Sequence, residues 1–191
     1  MNILFLDIDG VLNGYNKWAY HKINIAHKLL DCKHFGYEFY DDILTPIRGI
    51  DRKRVKILSK IVEANNINRI IITGSDRYAF KDYEIRSTHR KMCLLSYWLL
   101  RYHLTISGYT PYLTGKTREE EIFKWLEDNS IDLYDPENKI IILDDEIQLY
   151  KKLRKHVLLT ADSVIIKGHP EENTGLRKKH IKESIQLMKE V

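Results

Sequence analysis

The sequence has few cysteines and no long apolar run, and these two absences exclude several classes of protein. Its only cysteines, Cys32 and Cys93, are far apart, and neither has a second thiol or a spaced pair of histidines near it. We therefore expect reduced thiols rather than a disulfide framework or a zinc site. No apolar run approaches the roughly 20 residues of a membrane span. Asp7 and Asp9 interrupt the N-terminal apolar segment too early for a secretion signal, so a cytoplasmic protein without membrane contact is expected.

A strong charge of one sign is also missing. The formal net charge is +4, from 31 basic and 27 acidic residues. Basic residues cluster in three places: Arg52–Arg54, Lys151–Lys155 and Arg177–His180. Acidic residues are distributed through the sequence between these clusters. Solvated helix faces explain such clusters better than a nucleic-acid surface does, so charge alone identifies no partner.

The length and composition are those of one folded domain. The chain has 191 residues, of which 43% are hydrophobic and 30% charged, and it shows no repeat, linker or low-complexity tract. We expect a single domain over residues 1–191. Residues 13–50 lack clear periodicity and are too many for a tight turn.

What the sequence does contain is a pair of carboxylates directly after an apolar segment. Ile3–Leu6 reads as a buried strand, and Asp7 and Asp9 follow it. Side chains alternate along an extended backbone, so both acids point to the same side. Gly10 then permits a sharp turn and a close approach to a ligand. One carboxylate can act as a nucleophile and the other can transfer a proton, and the pair carries enough charge to hold a divalent cation.

Two later segments also place polar residues at the carboxyl end of an apolar strand. Ile70–Ile72 is followed by Thr73 and Gly74, and Lys139–Leu143 is followed by Asp144 and Asp145. The two adjacent acids would repel each other unless a cation or a basic group lies between them. Because the carboxyl ends of strands in a doubly wound α/β sheet meet at one crevice, these polar groups are expected to converge there.

Basic residues stand near two of these positions. Arg77 is close enough to Thr73 to bind an anionic substrate, although an exposed loop arginine is an equally good interpretation. Gly115-Lys116-Thr117 is similar to the end of a phosphate-binding loop, but that loop needs a glycine where Thr110 stands and a strand leading directly into it. We therefore interpret Lys116 as a lysine ahead of a helix, with Arg118 as the alternative basic group.

The remaining pattern alternates helices with strands. Asp51 is a predicted N-cap for a helix that reaches Asn65. The other predicted helices cover residues 87–102, 119–129, a basic stretch from about 148 and a terminal stretch from 177, and the other predicted strands cover residues 104–107 and 157–160.

Taken together, these motifs resemble those of the haloacid dehalogenase (HAD) superfamily, whose members are mostly magnesium-dependent phosphohydrolases. Asp-x-Asp-Gly-Val-Leu is similar to the first motif of that superfamily, Thr73 to the second, Lys116 to the third and the pair Asp144-Asp145 to the fourth. The resemblance implies a three-layer, Rossmann-like, doubly wound parallel sheet with a small cap inserted after the first strand, at residues 13–50.

The same resemblance implies roles for the residues. Asp7 would attack phosphorus to form an aspartyl phosphate, and Asp9 would act as general acid and base. Thr73 and Lys116 would stabilise the phosphoryl oxygens. Mg²⁺ would be held by Asp7, by the main-chain carbonyl of Asp9, and by Asp144 or Asp145. The expected substrate-binding positions are Gly10, Gly74, Arg77 and Arg118.

A narrower likeness concerns the HAD-like domain of "Swiss army knife" RNA repair proteins. Four segments carry it: Phe5–Asn13, Glu120–Leu126, Ile142–Glu146 and Thr174–Leu176. It implies a phosphatase that trims the terminal phosphate of an RNA or DNA end. The alternatives are a non-catalytic module that binds a phosphorylated partner or nucleic acid, and a small-metabolite phosphatase or phosphotransferase. The sequence does not indicate an oligomeric state.

Overall fold

The computed structural model describes residues 1–12, 50–74, 97–161 and 175–191. Within these ranges the strands are β1 (Asn2–Leu6), β2 (Arg69–Ile72), β3 (Ile106–Tyr109), β4 (Lys139–Asp144) and β5 (Val157–Leu159). The helices are α1 (Arg52–Ala64), α2 (Arg118–Asp128) and α3 (Lys179–Glu190), and residues 97–101 are also helical. The predicted cap at residues 13–50, apart from Ile50, lies outside the described residues, as do Arg77, Cys32 and Cys93.

The five strands form one parallel sheet in the order β3-β2-β1-β4-β5. The first strand therefore lies at the centre, with β2 on one side and β4 on the other. Leu6 is in register with Ile72 of β2 and with Leu143 of β4. This register places the three residues that follow them side by side, at the carboxyl edge of the sheet.

Side chains of the central strands alternate between two apolar layers. Leu4 and Leu6 pack with the buried faces of α1 and α3, whereas Ile3 and Phe5 pack with α2. On the α2 side, the rings of Phe5 and Trp125 meet edge to face, with their centroids 5.4 Å apart. Helices thus cover both faces of a parallel sheet, and the predicted α/β class is confirmed.

Local sequence signals set the starts of two helices. Asp51 is the N-cap of α1, where its side chain accepts a hydrogen bond from the N–H of Lys53, as predicted. Thr117 caps α2 through a capping box, in which its hydroxyl accepts from the N–H of Glu120 and the Glu120 carboxylate accepts from the N–H of Thr117. The first residue inside α2 is therefore Arg118.

The predicted basic helix from about residue 148 is wrong. Two short 3₁₀ helices stand there, Ile147–Leu149 and Arg154–His156. The N–H groups of Lys151 and Leu153 do not enter a helical ladder, because both donate to the side chain of Glu119. None of the helices that the structure describes has the length and apolarity that crossing a membrane would demand.

Candidate active site

Three polar side chains stand side by side where the three central strands end. Asp7 follows β1, Thr73 follows β2, and Asp144 is the last residue of β4. The backbone ladder continues through them: the N–H of Asp7 donates to Leu143 O at 3.0 Å, and the N–H of Thr73 donates to Leu6 O at 2.9 Å. All three side chains are buried. The strands themselves thus fix their relative positions.

Arg118 joins two of these strands. Its Nη1 lies 3.0 Å from Asp7 Oδ2 and 2.5 Å from Asp144 Oδ2. Burial lowers the pKa of Arg118, but the neighbouring carboxylates of Asp7 and Asp144 more than offset this effect, and the pKa is raised overall. The guanidinium is therefore a permanent positive charge between two buried acids.

Lys116 lies elsewhere. Its side chain is 54% exposed and its Nζ pairs with Glu120 Oε1 at 2.8 Å, on the outer side of the first turn of α2. Of the two basic groups considered for this position, the structure thus brings Arg118, and not Lys116, to the carboxylates. The capping box explains the choice, since it starts the helix at Arg118 and leaves Lys116 ahead of the N-cap.

Three acids form a group of suitable size for a cation. Each of Asp7, Asp144 and Asp145 offers a carboxylate oxygen, and the three oxygens lie within 4.8 Å of one another. Burial and the nearby charges of Asp144 and Glu146 raise the pKa of Asp145 to about 6. Crowded, partly desolvated carboxylates of this kind are stabilised by a hard divalent cation, and oxygen ligands are those that Mg²⁺ prefers. The residues present therefore fit the expected magnesium ion.

The β2 end of the site combines a buried hydroxyl with a glycine. Thr73 Oγ1 is fully buried and has no hydrogen-bond partner among the residues that the structure describes. Gly74 has φ +76°, and a Cβ atom at this position would lie 2.3 Å from Asp7 Oδ1. Only glycine permits this approach, so the backbone after Thr73 forms a wall against the Asp7 carboxylate.

The turn after Asp9 is also tied to the sheet. Asp9 is exposed, and Gly10, at φ +73°, is buried. The hydroxyl of Thr160 donates to Gly10 O at 3.1 Å, and the N–H of Thr160 donates to Asp144 O at 2.9 Å. The residue after β5 thereby connects the β1 turn with the end of β4, and Asp9, within that turn, is exposed to solvent.

Two buried residues of the site were not predicted from the sequence. The hydroxyl of Tyr150 donates to Asp144 Oδ2 at 2.5 Å, and burial followed by the charge of Asp144 raises the pKa of this phenol. Glu119 Oε1 accepts the N–H groups of Lys151 at 2.9 Å and Leu153 at 2.7 Å. The capping box is the signal that could have identified Glu119, because it places Glu119 in the first turn beside Arg118; no motif marks Tyr150.

Comparison with known proteins identifies one family. A family model described as "HAD domain in Swiss Army Knife RNA repair proteins" matches residues 3–167. This range contains all five strands, apart from Asn2 at the start of β1, and every site residue described above. Comparisons with curated proteins and with solved structures give no match.

Proposed function

Because the chain belongs to the family of HAD domains in Swiss Army Knife RNA repair proteins, we propose that it is a magnesium-dependent phosphatase. The family supports a phosphohydrolase-type enzyme in general. Our proposal is more specific. The reaction passes through an aspartyl phosphate on Asp7, and the substrate is the terminal phosphate of a nucleic acid, with RNA preferred over DNA.

The observation that carries the proposal is the group of carboxylates around Arg118. Asp7, Asp144 and Asp145 bring their oxygens within 4.8 Å of one another, at the ends of two adjacent strands. A buried group of acids is unfavourable for stability unless cations offset it. Arg118 supplies one positive charge, and these oxygen donors suit a magnesium ion as the second. A phosphate dianion can approach Asp7 without strong repulsion only when these cations neutralise the charge of the acids.

Magnesium, when held by Asp7 and by Asp144 or Asp145, would withdraw electron density from the phosphoryl oxygens and reduce the repulsion between the two anions. The other steps belong to the side chains. An oxygen of Asp7 attacks phosphorus in line, and the bond from phosphorus to the leaving oxygen breaks. Asp9, which is exposed in the turn after β1, gives its proton to that oxygen.

The second half of the reaction releases phosphate. Asp9, now ionised, takes a proton from water, and the resulting hydroxide attacks phosphorus and displaces the carboxylate of Asp7. Arg118 stabilises the charge that returns to Asp7, 3.0 Å away. Thr73 Oγ1, which has no partner among the described residues, supplies a donor for one phosphoryl oxygen.

The proposed nucleic-acid substrate has two supports. The description of the matched family names RNA repair proteins. The residues Lys151, Lys152, Arg154 and Lys155 are exposed, and they lie on the connection that begins at the acids after β4. Phosphodiester groups next to a terminal phosphate would be attracted to these side chains.

The first experiment measures phosphate release from p-nitrophenyl phosphate by the purified chain, with magnesium and with EDTA. We expect turnover with magnesium alone, and none from Asp7→Asn, which removes the nucleophile but keeps the size of the side chain. Asp128→Asn serves as the matched control, because Asp128 is an exposed acid that pairs with Lys124 at the far end of α2. Substantial turnover by Asp7→Asn would refute the assignment of the nucleophile.

A second experiment identifies the intermediate and the substrate. Borohydride reduces an aspartyl phosphate to homoserine, so quenched turnover mixtures should carry homoserine at position 7 when analysed by peptide mass spectrometry. Initial rates should then be compared among oligoribonucleotides with a 5′ or a 3′ phosphate, matching deoxyoligonucleotides, nucleotides and sugar phosphates. Faster hydrolysis of the sugar phosphates than of every oligonucleotide would contradict the proposed substrate class.

A further inference from the structure

We infer that Tyr150 is a positioning residue for this phosphoryl transfer: its buried hydroxyl orients Asp144, and Asp144, through Arg118, orients the attacking carboxylate of Asp7. This inference rests on the proposed function. It concerns a side chain that is not among the acids expected to hold the metal and that would act through its contact with Asp144.

The first step is the environment of the Asp144 carboxylate. Its Oδ2 lies 2.5 Å from the donating hydroxyl of Tyr150 and 2.5 Å from Nη1 of Arg118. Its Oδ1 accepts the N–H of Glu146 at 2.8 Å. Hydrogen bonds to an ionised carboxylate are short and strong. Three donors, two on Oδ2 and one on Oδ1, therefore restrain the rotamer of this side chain.

The second step is that one nitrogen of Arg118 serves two acids. Nη1 lies 2.5 Å from Asp144 Oδ2 and also 3.0 Å from Asp7 Oδ2. A rotation of Asp144 would draw this nitrogen away from Asp7, because the same atom makes both contacts. The orientation of Asp7 thus depends on that of Asp144, and misplacement of a nucleophile by about 1 Å can lower a rate by about 100-fold.

The third step is that the position of Tyr150 is itself fixed. Its side chain is only 2% exposed and packs in the apolar layer between the sheet and α2. The backbone after it is held by Glu119, whose Oε1 accepts from Lys151 and Leu153. Glu119 is the neighbour of Arg118 in the first turn of α2, so one helical turn holds both ends of the path from Tyr150 to Asp7.

The test is the variant Tyr150→Phe, which removes the hydroxyl and keeps the ring that packs in the core. We expect kcat for p-nitrophenyl phosphate at saturating magnesium to fall about tenfold, which corresponds to about 1.4 kcal/mol in the activation barrier. KM should change less than about twofold, because a misdirected nucleophile weakens the transition state more than substrate binding. Tyr134→Phe is the matched control, since the Tyr134 side chain is 91% exposed.

A second variant separates orientation from a general loss of stability. Glu119→Ala keeps the hydroxyl of Tyr150 but frees the backbone after it, so the hydroxyl is no longer held in position. The same fall in kcat with little change in KM is expected, and an unchanged kcat would contradict the third step. The folded fraction of each variant, measured by circular dichroism at the assay temperature, corrects every rate.

The outcomes are distinct. If wild-type protein hydrolyses the ester and Tyr150→Phe keeps its kcat within about twofold, the inference is wrong and the proposed function stands. The inference is equally overturned if the whole effect lies in KM, or if it disappears after correction for the folded fraction. If wild-type protein releases no phosphate from any substrate of the panel, it is the proposed function that fails.

Discussion

Replacing Arg118 by methionine removes the only charge that contacts both Asp7 and Asp144 among the described residues, while keeping a side chain of similar length. With an effective dielectric constant of about 20, contacts of 3.0 and 2.5 Å correspond to attractions of about 5–7 kcal/mol each. The desolvation of the guanidinium offsets much of this gain. Because the variant removes the positive charge that the buried carboxylates of Asp7 and Asp144 share, we expect the free energy of unfolding to fall by about 3–5 kcal/mol.

For a chain of this length such a loss lowers the unfolding midpoint by roughly 6–20 °C. Differential scanning calorimetry in EDTA measures this shift. Magnesium should restore part of it, since the cation supplies positive charge to the same acids. The value of kcat should fall by about 10²–10³, as it does when an enzyme loses one hydrogen-bond donor that stabilises charge in the transition state.

Lys116→Met is the decisive comparison, because it removes a basic residue only two positions away. Lys116 pairs with Glu120 in solvent, and exposed pairs contribute little to stability. We therefore expect an unfolding midpoint and a kcat close to those of the wild type. Lys124→Met, which removes a partly exposed lysine from the same helix, controls for the general loss of a charge. Equal losses of turnover from Arg118→Met and Lys116→Met, or an unchanged midpoint in Arg118→Met, would show that the reasoning from the ion pairs is mistaken.

Two further predictions concern the wall of the site and the pH dependence of metal binding. Gly74→Ala should abolish turnover, because the new Cβ would lie 2.3 Å from Asp7 Oδ1. Gly115→Ala is the control: Gly115 has a similar φ of +74°, but its new Cβ would have no neighbouring atom of the described residues within 4 Å, so turnover should be kept. Both variants carry about 1–3 kcal/mol of backbone strain, so unfolding curves separate strain from the steric effect on activity. Burial raises the pKa of Asp145 to about 6. If this carboxylate binds magnesium, it must be ionised to do so, and only about a tenth of it is ionised at pH 5. The dissociation constant for magnesium, measured by calorimetry, should therefore be about tenfold higher at pH 5 than at pH 8. An equally steep pH dependence in Asp145→Asn would assign the titration to another group.

Much of the catalytic edge could be predicted from the sequence because the strands are short, apolar and fully buried. Ile3–Leu6 and Ile70–Ile72 can form little else than interior strands, and the polar residues that follow must emerge at their carboxyl ends. Parallel pairing then places Asp7, Thr73 and Asp144 together without any further information. Their chemical roles stay predictions until the variants are measured.

The rest depends on contacts between segments far apart in the chain. Spacing does not distinguish Lys116 from Arg118; the capping box does, since it fixes the residue at which α2 begins. Basic residues favour a helix after Gln148, but the hydrogen bonds from Lys151 and Leu153 to Glu119 replace it. A long-range contact of this kind overrides local propensity and leaves no periodic signal in the sequence.

The central position of β1 has a consequence for hydrogen–deuterium exchange. This strand is paired with β2 and β4 along most of its length, so it can leave the sheet only if two ladders open at once. Amides of such strands exchange only when the whole domain unfolds. The amides of the strand that leads to Asp7 are therefore expected to exchange last. Local opening of other segments would leave the backbone that positions Asp7 intact.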